Sequence, residues 1–148
     1  MSLGFISDIH LDSNSPKKTQ MFFDFLDQAK NKYSKLFILG DLFEYWIGDD
    51  DQSQDSLEVI KQLKKLSDSI EVFFIAGNRD FLIAKEFENK SGIKILEDMY
   101  IFSSGNKNIM VSHGDSFCID DKQYQSLKNE IRSSAVSYTH LRAHETNQ

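Results

Sequence analysis

The sequence predicts an α/β fold built around a parallel sheet, and three observations lead there. Short apolar runs of strand length alternate with stretches whose apolar residues recur at helical spacing. Each early run ends at a small residue or a polar cluster, as strands do where they leave a sheet. The resulting order of strand, helix, strand, helix, strand is that of βαβ units, whose strands pair in parallel.

Taken in order, Leu3 to Ile6 reads as the first strand. Met21, Phe22, Phe25, Leu26 and Ala29 share helical spacing, so a helix follows Pro16. Leu36 to Leu39 is a second strand, ending at Gly40. Leu57, Ile60, Leu63 and Leu66 mark a second amphipathic helix, with Asp55 or Ser56 as its cap. Val72 to Ala76 is a third strand, ending at Gly77. Phe81 to Phe87 reads as a short helix closed by Ser91-Gly92. Ile93 to Leu96, Tyr100 to Phe102 and Ile109 to Ser112 read as strands, the last two joined at a Gly-Asn turn. This strand-rich stretch predicts mixed pairing. Tyr124, Leu127 and Ile131 give one more helical face.

Composition narrows the class. The chain has 148 residues, enough for one domain with a sizeable core. No apolar run approaches the ~18 residues needed to cross a bilayer. The opening turns polar at Ser7 and Asp8, too soon for a secretory signal. Cys118 is the single cysteine, so no internal disulfide forms and a cytoplasmic location is expected. The formal net charge of -6 lacks the broad positive field that holds nucleic-acid backbones. No nucleic-acid partner is expected. A small anionic substrate remains compatible, because bound divalent ions invert the local field.

The chemistry lies in four polar clusters, each just after an apolar run: Asp8-Ile9-His10, Gly40-Asp41, Gly77-Asn78-Arg79-Asp80 and His113-Gly114-Asp115. In open α/β sheets ligands bind at the carboxyl ends of the strands. One rim therefore collects carboxylates, imidazoles and an amide oxygen. Any one cluster alone has an ordinary structural reading, as a turn or a satisfied histidine. The four in this order do not.

The order Asp-x-His, Gly-Asp, Gly-Asn-Arg-Asp and His-Gly-Asp resembles the calcineurin-like metallophosphoesterases, whose sandwich of mixed β-sheets is flanked by helices. Three longer stretches, GDLFEYWIGDD (residues 40–50), GNRDFL (77–82) and HGDSFCIDDKQY (113–124), resemble the UDP-2,3-diacylglucosamine hydrolases within that superfamily. The resemblance runs from about Leu3 to Arg132. It implies Asp8 and His10 as ligands of a first metal, Asp41 as a carboxylate bridging two metals, and Asn78 and His113 as ligands of the second. Such mixed oxygen and imidazole donors suit manganese better than calcium, and the resemblance implies two Mn2+ ions. The reaction implied is hydrolysis of the pyrophosphate of UDP-2,3-diacylglucosamine by a metal-activated water, giving UMP and the acylated sugar 1-phosphate for lipid A synthesis. The implied place of work is the cytoplasmic face of the inner membrane, in peripheral contact with it.

Other residues have two readings. Arg79 clamps substrate phosphate or forms a surface salt bridge, with Asp80 as the candidate partner. Asn78 is implied in substrate contact as well. Asp121 accepts hydrogen bonds from the sugar or caps the helix of Tyr124. Asp115 orients His113 or caps locally, and Cys118 reads as packing. The family also carries a late Gly-His-x-His motif, a helical insertion that holds the acyl chains, and the closing strands of a second sheet, none of which this sequence contains. Of its four histidines, His140 and His144 have no preceding glycine. They fall in residues 133–148, a polar, weakly periodic stretch resembling translated sequencing-adapter tails. The expected organisation is an N-terminal portion of a metallophosphoesterase domain over residues 1–132 and a foreign tail over 133–148, and such a truncated chain is expected to be impaired in activity. A related phosphoesterase with a nucleotide or phosphoprotein substrate, or a binding module without metal chemistry, would share the fold. The long motifs argue against the first, and five intact ligand positions against the second.

Overall fold

In the computed structural model, residues 2–46, 48–49, 53–77, 79–80 and 82–114 are described. Four short strands form a parallel sheet: β1 (Leu3–Ile6), β2 (Lys35–Ile38), β3 (Glu71–Phe74) and β4 (Lys94–Ile95). Their spatial order is β1-β2-β3-β4, the same as their order in sequence. Three helices make the crossovers: α1 (Pro16–Lys32), α2 (Gln54–Ser67) and α3 (Lys85–Ser91). Right-handed crossovers that always step in one direction put every helix on one face of the sheet.

Strand alternation divides the core accordingly. Leu36 and Ile38 of β2 and Val72 and Phe74 of β3 face the helices, where Phe22, Leu26, Val59, Leu63 and Phe87 cover them. Phe37 and Phe73 point the opposite way. There they meet the hairpin of β5 (Tyr100–Ser104) and β6 (Lys107–Val111), an antiparallel pair that forms a second sheet. Parallel and antiparallel pairing thus segregate into two layers among the described residues. Register places Phe5, Phe37 and Phe73 side by side on three strands. Their rings stack at 5.2 and 4.8 Å between centroids, and Phe102 of β5 stacks on Phe37 at 4.9 Å. Each such pair contributes about 0.5–1.5 kcal/mol beyond its buried area.

The helices depart from the sequence reading in detail. Pro16 sits in the first turn of α1, where its missing N–H costs nothing. The buried seam of α1 is Phe22, Leu26 and Ala29 at i, i+4, i+7, while Met21, one position off that seam, is 65% exposed. The cap of α2 is Ser53, whose hydroxyl accepts from the Ser56 N–H at 3.3 Å, rather than Asp55 or Ser56. The third helix begins at Lys85, later than the Phe81 start expected; Phe81 itself lies outside the described residues. The Asp49 carboxylate accepts from the Ala84 and Phe87 N–H groups at 3.0 Å each, which anchors the start of α3 to the loop after β2. The same carboxylate accepts from the Trp46 indole at 3.0 Å. The helical face expected at Tyr124, Leu127 and Ile131 lies outside the described residues.

Candidate metal centre

Beyond their carboxyl ends, β1 and β2 do not separate. Leu39 N–H donates to Ile6, Asp8 to Gly40, His10 to Asp41 and Leu11 to Leu42, at 2.7 to 3.0 Å, and Glu44 N–H donates back to Leu11 at 2.9 Å. Two loops that would otherwise be free are therefore zipped along their backbones. The path they follow is left-handed at Asp8, His10 and Asp41, with φ of 56, 54 and 52°. Asp and His tolerate this region better than most residues, and its cost persists only where surrounding structure over-determines it, as at functional sites.

Two motif glycines follow from close approach. Gly40 has φ of 91°, and a Cβ there would lie 2.6 Å from His113 Nδ1 and 2.7 Å from the Gly77 Cα. A Cβ on Gly77 would collide with the Asp41 carboxylate. The Gly-Asp and Gly-Asn pairs are thus steric requirements for bringing three strand ends together.

What they bring together is a group of donors around Asp41. This residue is 5% exposed. Its Oδ2 lies 3.8 Å from His10 Nε2 and 3.4 Å from His113 Nε2, and Asp8 Oδ1 lies 3.7 Å from His10 Nε2. Asp8, Asp41 and His113 each present a ligand atom within 4.8 Å of the others. The other Asp41 oxygen, Oδ1, accepts from the Arg79 N–H at 2.8 Å, which fixes the carboxylate plane and leaves Oδ2 toward the imidazoles.

Both imidazoles are aimed through their Nδ1 atoms. His10 Nδ1 lies 3.0 Å from Glu44 Oε2, and His113 Nδ1 lies 2.6 Å from the Leu39 carbonyl oxygen. A carboxylate and a carbonyl only accept, so each Nδ1 carries a proton and Nε2 is the atom left facing Asp41. That is the arrangement in which histidine binds a metal. Carboxylate oxygens and imidazole nitrogens also suit a first-row divalent ion. The described residues therefore fit such an ion.

Asp80 holds the frame. Fully buried, it accepts from four backbone N–H groups: Gly77 at 2.9 Å and Asp41 at 3.1 Å on Oδ1, Leu42 at 2.6 Å and Phe43 at 3.3 Å on Oδ2. Burial pushes its carboxyl above the usual carboxylate range, and the four N–H groups pull the other way. His113 is reached from β6 past Asp98, whose Oδ1 accepts from the Ser112 hydroxyl at 2.7 Å and from the His113 N–H at 3.4 Å.

Of the residues singled out in the sequence, Asp8, His10, Asp41 and His113 converge. Arg79 lies beside them, but its ion pair is with Glu44, Nη1 to Oε1 at 3.3 Å, and not with Asp80. Asp80 turns inward to the backbone, which leaves it no oxygen for the guanidinium. The Arg79 guanidinium also sits over the exposed Tyr45 ring, 5.7 Å from its centroid. The Nδ1 partner of His113 is a backbone carbonyl. Asn78, Asp115, Cys118, Asp121, His140 and His144 lie outside the described residues. Sequence reasoning missed Glu44, Asp80 and Asp98 as orienting groups. For Glu44 a signal existed: a carboxylate three residues from the candidate ligand Asp41, in a chain with two candidate histidine ligands that need orienting partners.

Comparison with known proteins agrees with this geometry. The family model described as calcineurin-like phosphoesterase matches residues 1–146. A UDP-2,3-diacylglucosamine hydrolase of Haemophilus influenzae is 41% identical over 128 residues, covering 86% of this chain and 54% of that protein. Proteins of the same name from Aliivibrio fischeri and Stenotrophomonas maltophilia are 39% and 42% identical, covering 88% and 91% of this chain and 55% of each relative. The chain thus spans about half the length of the curated relatives it matches. Among solved structures, the Pseudomonas putida nuclease MPE superposes with a TM-score of 0.52 at 19% identity, over 67% of this chain and 49% of the nuclease. At that identity the likeness concerns the fold alone.

Proposed function

The chain belongs to the calcineurin-like phosphoesterase family, and from that premise we propose that it serves the metal-dependent hydrolysis of the pyrophosphate of UDP-2,3-diacylglucosamine. The products are UMP and 2,3-diacylglucosamine 1-phosphate, an intermediate on the way to lipid A. The observation that carries this reading is the name shared by relatives about 40% identical to the chain, three of them from different genera. Supporting it is the group of Asp8, His10, Asp41 and His113 at the sheet edge.

Family membership implies divalent ions, and the reading assigns two Mn2+. In this reading Asp8, His10, Asp41, Asn78 and His113 would hold them. When bound, the ions supply Lewis acidity toward a water and toward the phosphoryl oxygens. The protein supplies direction. Glu44 and the Leu39 carbonyl keep both Nε2 atoms turned inward. The Arg79 N–H holds Asp41 in plane, and the Arg79 guanidinium, partly exposed at the rim, offers the rest of its fork to a phosphate. Asn78 contributes to substrate contact, and Asp121 accepts from hydroxyls of the sugar. The lipid-linked substrate places the enzyme at the cytoplasmic face of the inner membrane. In this reading the contact there is peripheral; among the described residues no helix is long and apolar enough to cross a membrane.

The test is an assay of the full-length gene product on UDP-2,3-diacylglucosamine and on a generic phosphodiester, after chelation and after Mn2+ is restored. UMP release that depends on Mn2+ and favours the lipid nucleotide is expected. Preference for the generic diester would move the chain to another phosphoesterase activity. Failure to bind metal at all would leave a binding module.

A further inference from the structure

We propose that Glu44 is a positioning residue that couples the candidate metal ligand His10 to the cation Arg79, so that the metal side and the phosphate side of the site share one carboxylate. The inference rests on the function proposed above and adds a residue to it. Each Glu44 oxygen has its own partner: Oε2 accepts a hydrogen bond from His10 Nδ1 at 3.0 Å, and Oε1 faces Arg79 Nη1 at 3.3 Å.

The geometry is built rather than incidental. Glu44 is carried by the zipped loops, with its N–H on the Leu11 carbonyl and Phe43 bridged to Leu11. Arg79 is tied on the other side by its own backbone, its N–H on Asp41 Oδ1 and its carbonyl accepting from the Trp46 N–H at 3.1 Å. The side chains of Glu44 and Arg79 are 26% and 44% exposed. An ion pair this exposed has little to offer stability. Its placement therefore points to orientation. A guanidinium with one Nη1 held by Glu44 keeps its other N–H groups for an anion. A second consequence is electrostatic. Paired with a cation and a histidine, Glu44 can stand beside a phosphate site without repelling it.

Two variants of the full-length gene product separate the two halves of the coupling. Glu44→Gln keeps an amide oxygen for the His10 Nδ1 proton but loses the charge that holds Arg79. Glu44→Ala loses both. Titration of the metal-free protein with Mn2+, read by the spin resonance of the free ion, is expected to show affinity within about threefold of the parent for Glu44→Gln. For Glu44→Ala the expected loss is ~10–100-fold, the range seen when such orienting partners are removed. In hydrolysis, Glu44→Gln is expected to lower kcat/KM roughly tenfold. Combined with Arg79→Ala it should add nothing to the loss from Arg79→Ala alone, because the partner it positions is gone. Glu44→Ala is checked for folding by Trp46 fluorescence, and if it does not fold the Glu44→Gln cycle alone decides. Independent, multiplying losses in that cycle, or parent-like Mn2+ affinity in a folded Glu44→Ala, overturns the coupling. Failure of the parent protein itself to bind Mn2+ or release UMP would instead sink the proposed function, so the two ideas fail separately.

Discussion

Replacing Asp80 by asparagine preserves shape and removes one acceptor oxygen, which makes it a clean probe of the loop frame. In the folded chain Oδ1 serves the Gly77 and Asp41 N–H groups, and Oδ2 serves those of Leu42 and Phe43. An amide can keep one of these pairs. Its NH2 must then face the other pair, donor against donor. A buried N–H left without an acceptor costs about 1–3 kcal/mol, so two cost roughly 2–6 kcal/mol. An opposing term comes from burial, which disfavours the Asp80 carboxylate and is relieved in a neutral amide. The net expectation is the lower half of the range, about 2–4 kcal/mol, a large share of the ~5–15 kcal/mol by which domains are stable. Trp46 is the only tryptophan in the sequence and is 4% exposed, so its fluorescence follows urea unfolding. The midpoint should fall while the slope stays constant. A loss below about 0.5 kcal/mol, the scatter of ordinary surface substitutions, would refute the reasoning, because Asp80 would not then be holding those donors in solution.

Two further outcomes follow from the same geometry. Gly40→Ala places a Cβ against His113 Nδ1 and Gly77 at a φ of 91°; it should destabilise by about 1–2 kcal/mol from the left-handed backbone alone and displace the His113 ring, visible as a shift of its imidazole resonances. A variant with unchanged resonances would show that the two strand ends are not packed as described. Lys94 donates to Glu71 at 3.0 Å and holds its carboxyl below the ordinary value of 4.5. That contribution to stability is present above the ordinary glutamate range and lost as pH falls through the lowered value. In Lys94→Met the Glu71 midpoint, followed by NMR titration, should rise toward 4.5, and an unmoved midpoint would dissociate the pair.

Strands and candidate ligands were legible in the sequence because both depend on local pattern. A four-residue apolar run such as Leu36 to Leu39, too short for a helix and closed by Gly40, reads as a buried strand, and a polar cluster at its end falls at the sheet edge. The helix cap was not legible, since Ser53, Asp55 and Ser56 lie within one turn and only the observed start of α2 selects Ser53. Met21 shares the apolar character of Phe22 but not its angle on the helix, and tertiary packing decided between them. The orienting carboxylates were hidden for another reason. Which loop meets which depends on the register of the β1–β2 zipper, and spacing along the chain does not state it. Chain adjacency even misled: Arg79 and Asp80 are neighbours in sequence, yet one reaches outward to Glu44 and the other inward to the backbone.

The coincidence of spatial and sequential strand order also has a meaning for synthesis on the ribosome. Each strand of the parallel sheet is laid against the one made just before it, so no later strand has to force its way between neighbours already paired. The sheet can grow in the direction of translation, with the earlier loops zipped while later codons are still being read. Asp8, His10 and Asp41 belong to that early portion, whereas His113 arrives on β6. At about 5–20 residues per second, the interval between Asp41 and His113 is on the order of 4–14 seconds. For that time a nascent chain would present one half of a chelating site while lacking the other.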